Sequence, residues 1–205
     1  MKSSYILYFI GVIVLAGIGF LLIPTHTAPV NPPITIADPS ALPGLQTADA
    51  PWPAELTHLL ERLKASNLPA LPMEGAVMHI HQHLDIFVDG KPVAIPAGIG
   101  IAQGVGFSPI HVHDTTGVIH VESPTIEKFT LGQFFDVWGV KFTTTCIGGY
   151  CADSTKSLRV YVNGTLYSGD PRLLELAQHQ EIAIAYGTNT EAPQIPTTFA
   201  FPAGD

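Results

Sequence analysis

In the stretch VMHIHQHLDIFVDGKPV, residues 77–93, histidine stands at 79, 81 and 83; in PIHVHDTTGVIHVES, residues 109–123, it stands at 111, 113 and 120. Two short segments thus carry six of the chain's nine histidines. Neutral imidazole is a good ligand for borderline transition ions, so the first question is whether these rings converge. Alternate side chains of a β-strand share a face, which puts His79, His81 and His83 together. Neighbours in such a row are ~6.5 Å apart and its ends about 13 Å apart, so two of the three suit one ion better than all three. His81 and His83 are the expected ligands, with His79 flanking them. The pairing of His79 with His81 is the alternative.

The second segment supplies its own register. Ile110 and Val112 alternate with His111 and His113, and Ile119 and Val121 alternate with His120 and Glu122. Pairing Val112 with Ile119 sets His111 opposite His120, at the ~5 Å cross-strand spacing that one ion can bridge. A type I turn with a glycine bulge over Asp114-Thr115-Thr116-Gly117 would shift this register and turn His120 away. The apolar pattern favours the unshifted pairing. The expected ligand set is therefore His81, His83, His111 and His120, with His113 and His79 at the rim. Glu122, Asp85 and Asp114 are available as an oxygen ligand or as partners that orient a ring. Zn²⁺ or Cu²⁺ suits such a set, and Met73 and Met78 would add affinity for Cu⁺. The competing reading is a metal-free sheet face of solvent-facing or pH-titrating histidines.

The elements that must position these residues are legible nearby. HLDIFVDGKPVAIP alternates across an Asp-Gly turn, and LRVYVNGTLY across an Asn-Gly turn, both hairpin signatures. IHVHDTTGVIHVES is a further candidate hairpin. In FTLGQFFDVWGVKF, residues 129–142, Thr130 and Gln133 have capping-box spacing and Gly139 stands where a helix should stop. This predicts a short helix over 131–138 that buries Leu131, Phe134, Phe135 and Trp138. A continuous apolar strand follows at Ile182–Tyr186.

The fold class expected is a β-rich α+β domain over 77–187, with hairpins packed on one short helix. Its expected core is Ile86, Val88, Val112, Ile119, Val121, Phe134, Phe135, Ile182 and Ile184. Upstream, leucines at 56, 59, 60 and 63 predict an amphipathic helix over 54–68, with Pro53 in its first turn. Residues 24–53 are rich in proline and read as an extended tether, and 188–205 as a mobile or surface-hugging tail.

Tyr5–Ile23 is nineteen residues without a charge, about the length that crosses a bilayer core. Lys2, in the tip of residues 1–4, favours a cytoplasmic N-terminus. The one plausible cleavage point, after Ala28, would leave Pro29 first, so a retained single-pass anchor in the cytoplasmic membrane is expected, with the domain outside the cytoplasm. Cys146 and Cys151 bracket Ile-Gly-Gly-Tyr and suit a disulfide loop in that compartment; half of a Cys₂ metal site is the rival. The formal net charge of −8 offers no basic stripe and argues against nucleic acid as a partner.

Taken together, HxHLDIFVDGKPV, PIHVHDTTGVIHVESP and FTLGQFFDVWGVKF resemble an uncharacterised family of membrane-anchored extracytoplasmic prokaryotic proteins. The resemblance covers about residues 77–187 and implies a location but no reaction. Cupin-like metalloenzymes place a glutamate shortly after their His-x-His, where this chain offers aspartate. Neither Gly-x-Ser-x-Gly, His-Glu-x-x-His nor a phosphate-cradling loop occurs. The sequence thus points to a membrane-anchored, extracytoplasmic metal-binding protein holding Zn or Cu, with no organic cofactor and no indicated protein partner. Two alternatives stay open: a small metal-dependent hydrolase, lyase or oxidoreductase with an open coordination position, and a metal-free structural or partner-binding domain.

Overall fold

The computed structural model describes residues 37–190 and 193–204. The expected membrane span at Tyr5–Ile23, the tip before it and residues 24–36 of the expected tether lie outside them. Among the described residues no helix is long and apolar enough to cross a membrane.

Helix α1, Leu59–Ala65, precedes the longest strand, β1, Met78–Val88. At Asp89-Gly90 both residues have positive φ, as a tight hairpin with the right twist requires, and the chain returns as β2, Lys91–Val93. A small hairpin of β3, Ile101–Ala102, and β4, Gly106–Phe107, leads to β5, Ile110–His111, and β6, Val118–Ser123. Helix α2 is Leu131–Trp138. Next come β7, Cys146–Ile147, and β8, Tyr150–Cys151, joined by the Cys146–Cys151 disulfide. Strands β9, Lys156–Val162, and β10, Thr165–Leu166, turn at Asn163-Gly164; a 3₁₀ turn at Pro171–Leu173 then precedes β11, Gln180–Thr188.

The main sheet runs β10-β9-β11-β1-β6-β5, with β2 also paired to β1. The length of β1 lets one edge take two partners: residues 78–83 pair antiparallel with β6, and 86–88 with β2. Its other edge pairs in parallel with β11, whose strand lies far along the chain, as a parallel partner must.

One face of this sheet is apolar. Leu84, Ile86, Ile110, Val112, Ile119, Val121, Val160, Ile182 and Ile184 form a single core with Phe134, Phe135 and Trp138 of α2. Each large apolar side chain so enclosed contributes about 1.5–3 kcal/mol. Of the expected core, Val88 alone is only half-buried, at the end of β1. Helix α2 starts and stops as its sequence requires: Thr130 and Gln133 form a reciprocal capping box, and Gly139 takes the left-handed conformation. All of its residues are buried, Asp136 included, because Nη2 of Arg172 lies 3.0 Å from both of its carboxylate oxygens.

The N-terminal expectations need correction. The folded part begins before Val77, because residues 37–53 are not an extended tether. Leu42 and Trp52 are buried, Gln46 bridges Val140, and Trp52 meets Trp138 edge-on at 6.0 Å. Prolines set this stretch into irregular backbone without periodicity, yet its isolated large apolar residues still fill gaps in the core. The predicted 54–68 helix is shortened to α1, which buries Leu59 and Leu63 and leaves Leu60 exposed, as is Leu56 before it. At the other end, the tail hugs the surface: Phe199 stacks flat on His83, ring centroids 3.8 Å apart, and Phe201 stacks on His179.

Candidate metal centre

The face of the sheet opposite the core carries the histidines. Register alone brings most of them together. His81 lies opposite His120, His79 opposite Glu122, and His111 opposite His120 on the other side. His120 on β6 is therefore flanked by His79-x-His81 on β1 and by a His-x-His segment that begins at His111 on β5 and ends just past that strand. The unshifted pairing of His111 with His120 is the one the apolar pattern implies; Gly117, at φ +86°, lets the turn close without displacing it.

Two overlapping groups of possible metal ligands result. His79, His81, His120 and Glu122 form one, and His111, His113, His120 and Glu122 the other, with ligand atoms in each within 4.8 Å of one another. The Nε2 atoms of His79 and His81 are 3.1 Å apart, as are those of His111 and His113. Glu122 Oε1 lies between the pairs, 3.2 Å from His79 Nε2, 3.4 Å from His120 Nδ1, 3.8 Å from His111 Nε2 and 3.9 Å from His113 Nε2. Ligand bonds of about 2.0–2.1 Å set tetrahedral donor atoms about 3.3 Å apart, so the closer of these separations suit ligands of a common ion. His81, His111 and Glu122 are buried, His120 is half-buried, and His79 and His113 form the exposed rim.

The electrostatics favour the neutral form at His120 and His111. Burial, reinforced by the charges of neighbouring rings, pushes His120 down to about 3. Burial pushes His111 down to about 4, although its hydrogen bond to Ser108 works the other way. That bond also fixes the tautomer. The Ser108 carbonyl can only accept, so Nδ1–H of His111 donates to it at 2.9 Å and Nε2 turns its lone pair toward the cluster. His120 Nδ1 is buried with no hydrogen-bond partner among the described residues. Burial, followed by the charge of Glu74, raises the pKa of Glu122.

His83 stands apart from the expected convergence: with Asp85 and Glu181 it forms a third group of possible metal ligands. It faces Glu181 across the parallel β1–β11 pairing rather than His120. Its Nδ1 lies 2.8 Å from Glu181 Oε2 and 3.7 Å from Asp85 Oδ2, and its Nε2 lies 2.8 Å from the Thr116 carbonyl. Burial works against its charge, but Glu181 outweighs it and the pKa rises. His83 is thus held at both ring nitrogens, beside a Glu181 whose own pKa burial raises. His79 and His81, the alternative pair, are the two brought within 3.1 Å of each other. Asp85 sides with His83, while Asp114 is exposed and caps its own turn by accepting from Thr116 N–H at 2.8 Å. Met78 packs against the core and Met73 is exposed.

Sequence reasoning missed Glu74, whose Oε1 is 3.6 Å from His113 Nε2, and Glu181. A signal for Glu181 existed: Glu181, Ala183 and Ala185 alternate with Ile182, Ile184 and Tyr186, which marks a two-faced strand rather than a uniformly apolar one. Glu122, expected beside the ligands, sits at their centre. No protein-family model matches the sequence, and neither a curated protein nor a solved structure matches it.

Proposed function

We propose that this chain is a metal-binding protein that holds Zn or Cu ions through His79, His81, His111, His113, His120 and Glu122. The observation that carries the reading is the convergence of five imidazoles on Glu122, in two overlapping groups of ligand dimensions. A metal-free, solvent-facing histidine surface fits less well, since His81 and His111 are buried. An ion relieves the cost of packing lone pairs against one another there. Nitrogen-rich coordination with one carboxylate suits Zn²⁺ and Cu²⁺ over the hard oxygen-seeking cations. Glu122 lies among the ligands rather than beside an open position, which supports holding an ion over activating water on it.

Location belongs to the same proposal. The apolar run Tyr5–Ile23 behind Lys2 would anchor the protein in the cytoplasmic membrane with its histidine domain outside, as the family resemblance also implies. The Cys146–Cys151 disulfide supports an oxidising compartment.

Elemental analysis of the purified full-length protein, prepared without a histidine tag, tests the function. Stoichiometric zinc or copper is expected, and a His81→Ala/His120→Ala variant should lose it. Metal-free wild-type protein after growth and dialysis with both ions would refute the reading. Protease added to intact spheroplasts should digest the domain; full protection would refute the location.

A further inference from the structure

We infer that the centre binds two ions side by side, bridged by Glu122. This rests on the metal-site reading above and concerns its stoichiometry. Six donor groups converge, whereas a tetrahedral zinc site uses four. Their arrangement divides them: the six resolve into two groups of four that share only His120 and Glu122. Each group keeps a private His-x-His pair, His79 with His81 on β1 and His111 with His113 at the end of β5. Each pair is already closed to 3.1 Å between Nε2 atoms, the spacing of two ligands on one ion.

Glu122 occupies the junction. Its Oε1 is 3.2 Å from His79 on one side and 3.8 and 3.9 Å from His111 and His113 on the other. A carboxylate whose oxygen faces both pairs can bridge two ions held about 3.5–4 Å apart, the usual spacing of two-metal sites. His120 stands between the flanks, its ring centroid 4.5 Å from that of His81 and 4.4 Å from that of His113. Each ion thus receives a histidine pair and Glu122, with His120 in reach of both. The sheet explains the symmetry: β6 carries the shared residues, β1 on one side carries one private pair, and β5 on the other carries His111, with His113 just beyond its end.

Native mass spectrometry of the full-length protein after loading with excess Zn²⁺ gives the count. Two ions are expected in the wild type, and one each in His79→Ala/His81→Ala and His111→Ala/His113→Ala. A single ion in the wild type would overturn the pair while leaving the metal-binding reading intact. No ion would overturn both. Because His81 and His111 are buried and their variants can misfold, a second measurement needs only the wild type. Electron paramagnetic resonance of the Cu²⁺-loaded protein should show a coupled pair, with a half-field transition and signal intensity below the total copper. A full-intensity spectrum of isolated Cu²⁺ would overturn the bridged pair, including the case in which a second ion sits elsewhere on the chain.

Discussion

Glu122 is the residue on which the site turns, because its carboxylate is the one anionic donor common to both histidine pairs. Glu122→Gln keeps the size of the side chain but removes the charge. Competition with a chromophoric chelator should show affinity falling by at least the roughly 10–100-fold that loss of a ligand's supporting partner costs. Unchanged affinity would exclude Glu122 as a ligand. Glu55 is a carboxylate away from the centre. Burial alone would raise the pKa of Glu55, but the Arg62 guanidinium beside it outweighs that, with help from His58, and lowers it from 4.5 to about 2. The folded state thus binds fewer protons than the unfolded state over this interval. The contribution of Glu55 is present above about pH 4.5 and is lost as pH falls toward 2. In urea unfolding, the stability gap between wild type and Glu55→Gln should narrow from pH 6 to pH 3; a constant gap contradicts the assignment.

At the scale of elements, what was readable in the sequence was local. The capping box and Gly139 define α2 at both ends, and the apolar alternation of Ile110, Val112, Ile119 and Val121 sets His111 opposite His120. What escaped was non-local. Nothing near His83 announces that β11 will pair with β1 from almost a hundred residues away, yet that pairing parts His83 from the group around His120 and sets it beside Glu181. The prolines of 37–53 hid a packed segment for a related reason: Trp52 and Leu42 are placed by the core they meet, not by a repeat of their own. Turn geometry before β6 offers a test. A Cβ on Gly117, at φ +86°, would lie 2.7 Å from the Leu84 carbonyl oxygen. Gly117→Ala should therefore cost about 1–2 kcal/mol from the backbone conformation, and more from the clash. Denaturant titration should show this loss together with weaker metal binding, since β6 carries His120 and Glu122. Wild-type stability in the variant would mean that the turn adapts and does not hold the register.

Across the whole molecule, the sheet separates two tasks. Its apolar face makes the core with α2, and its opposite face gathers the titratable groups under partial cover from the tail, where Phe199 lies on His83. The disulfide belongs to the first task, closing the β7–β8 hairpin whose Gly148 abuts Trp52. Replacing both cysteines with serine should cost about 2 kcal/mol by loop entropy and leave the number of bound ions unchanged. A bound metal would act on stability differently, through binding linkage. Excess Zn²⁺ should raise the melting temperature and a chelator should lower it, by about 4 kcal/mol of stability at a thousandfold excess over Kd. The most direct test of the central claim is diffraction from crystals of the zinc-loaded protein, with anomalous data collected on both sides of the zinc edge. Density bounded by His79, His81, His111, His113, His120 and Glu122 is expected, resolved as two peaks about 3.5–4 Å apart. Zinc bound only at His83, Asp85 and Glu181, or no peak among the six residues, would contradict it.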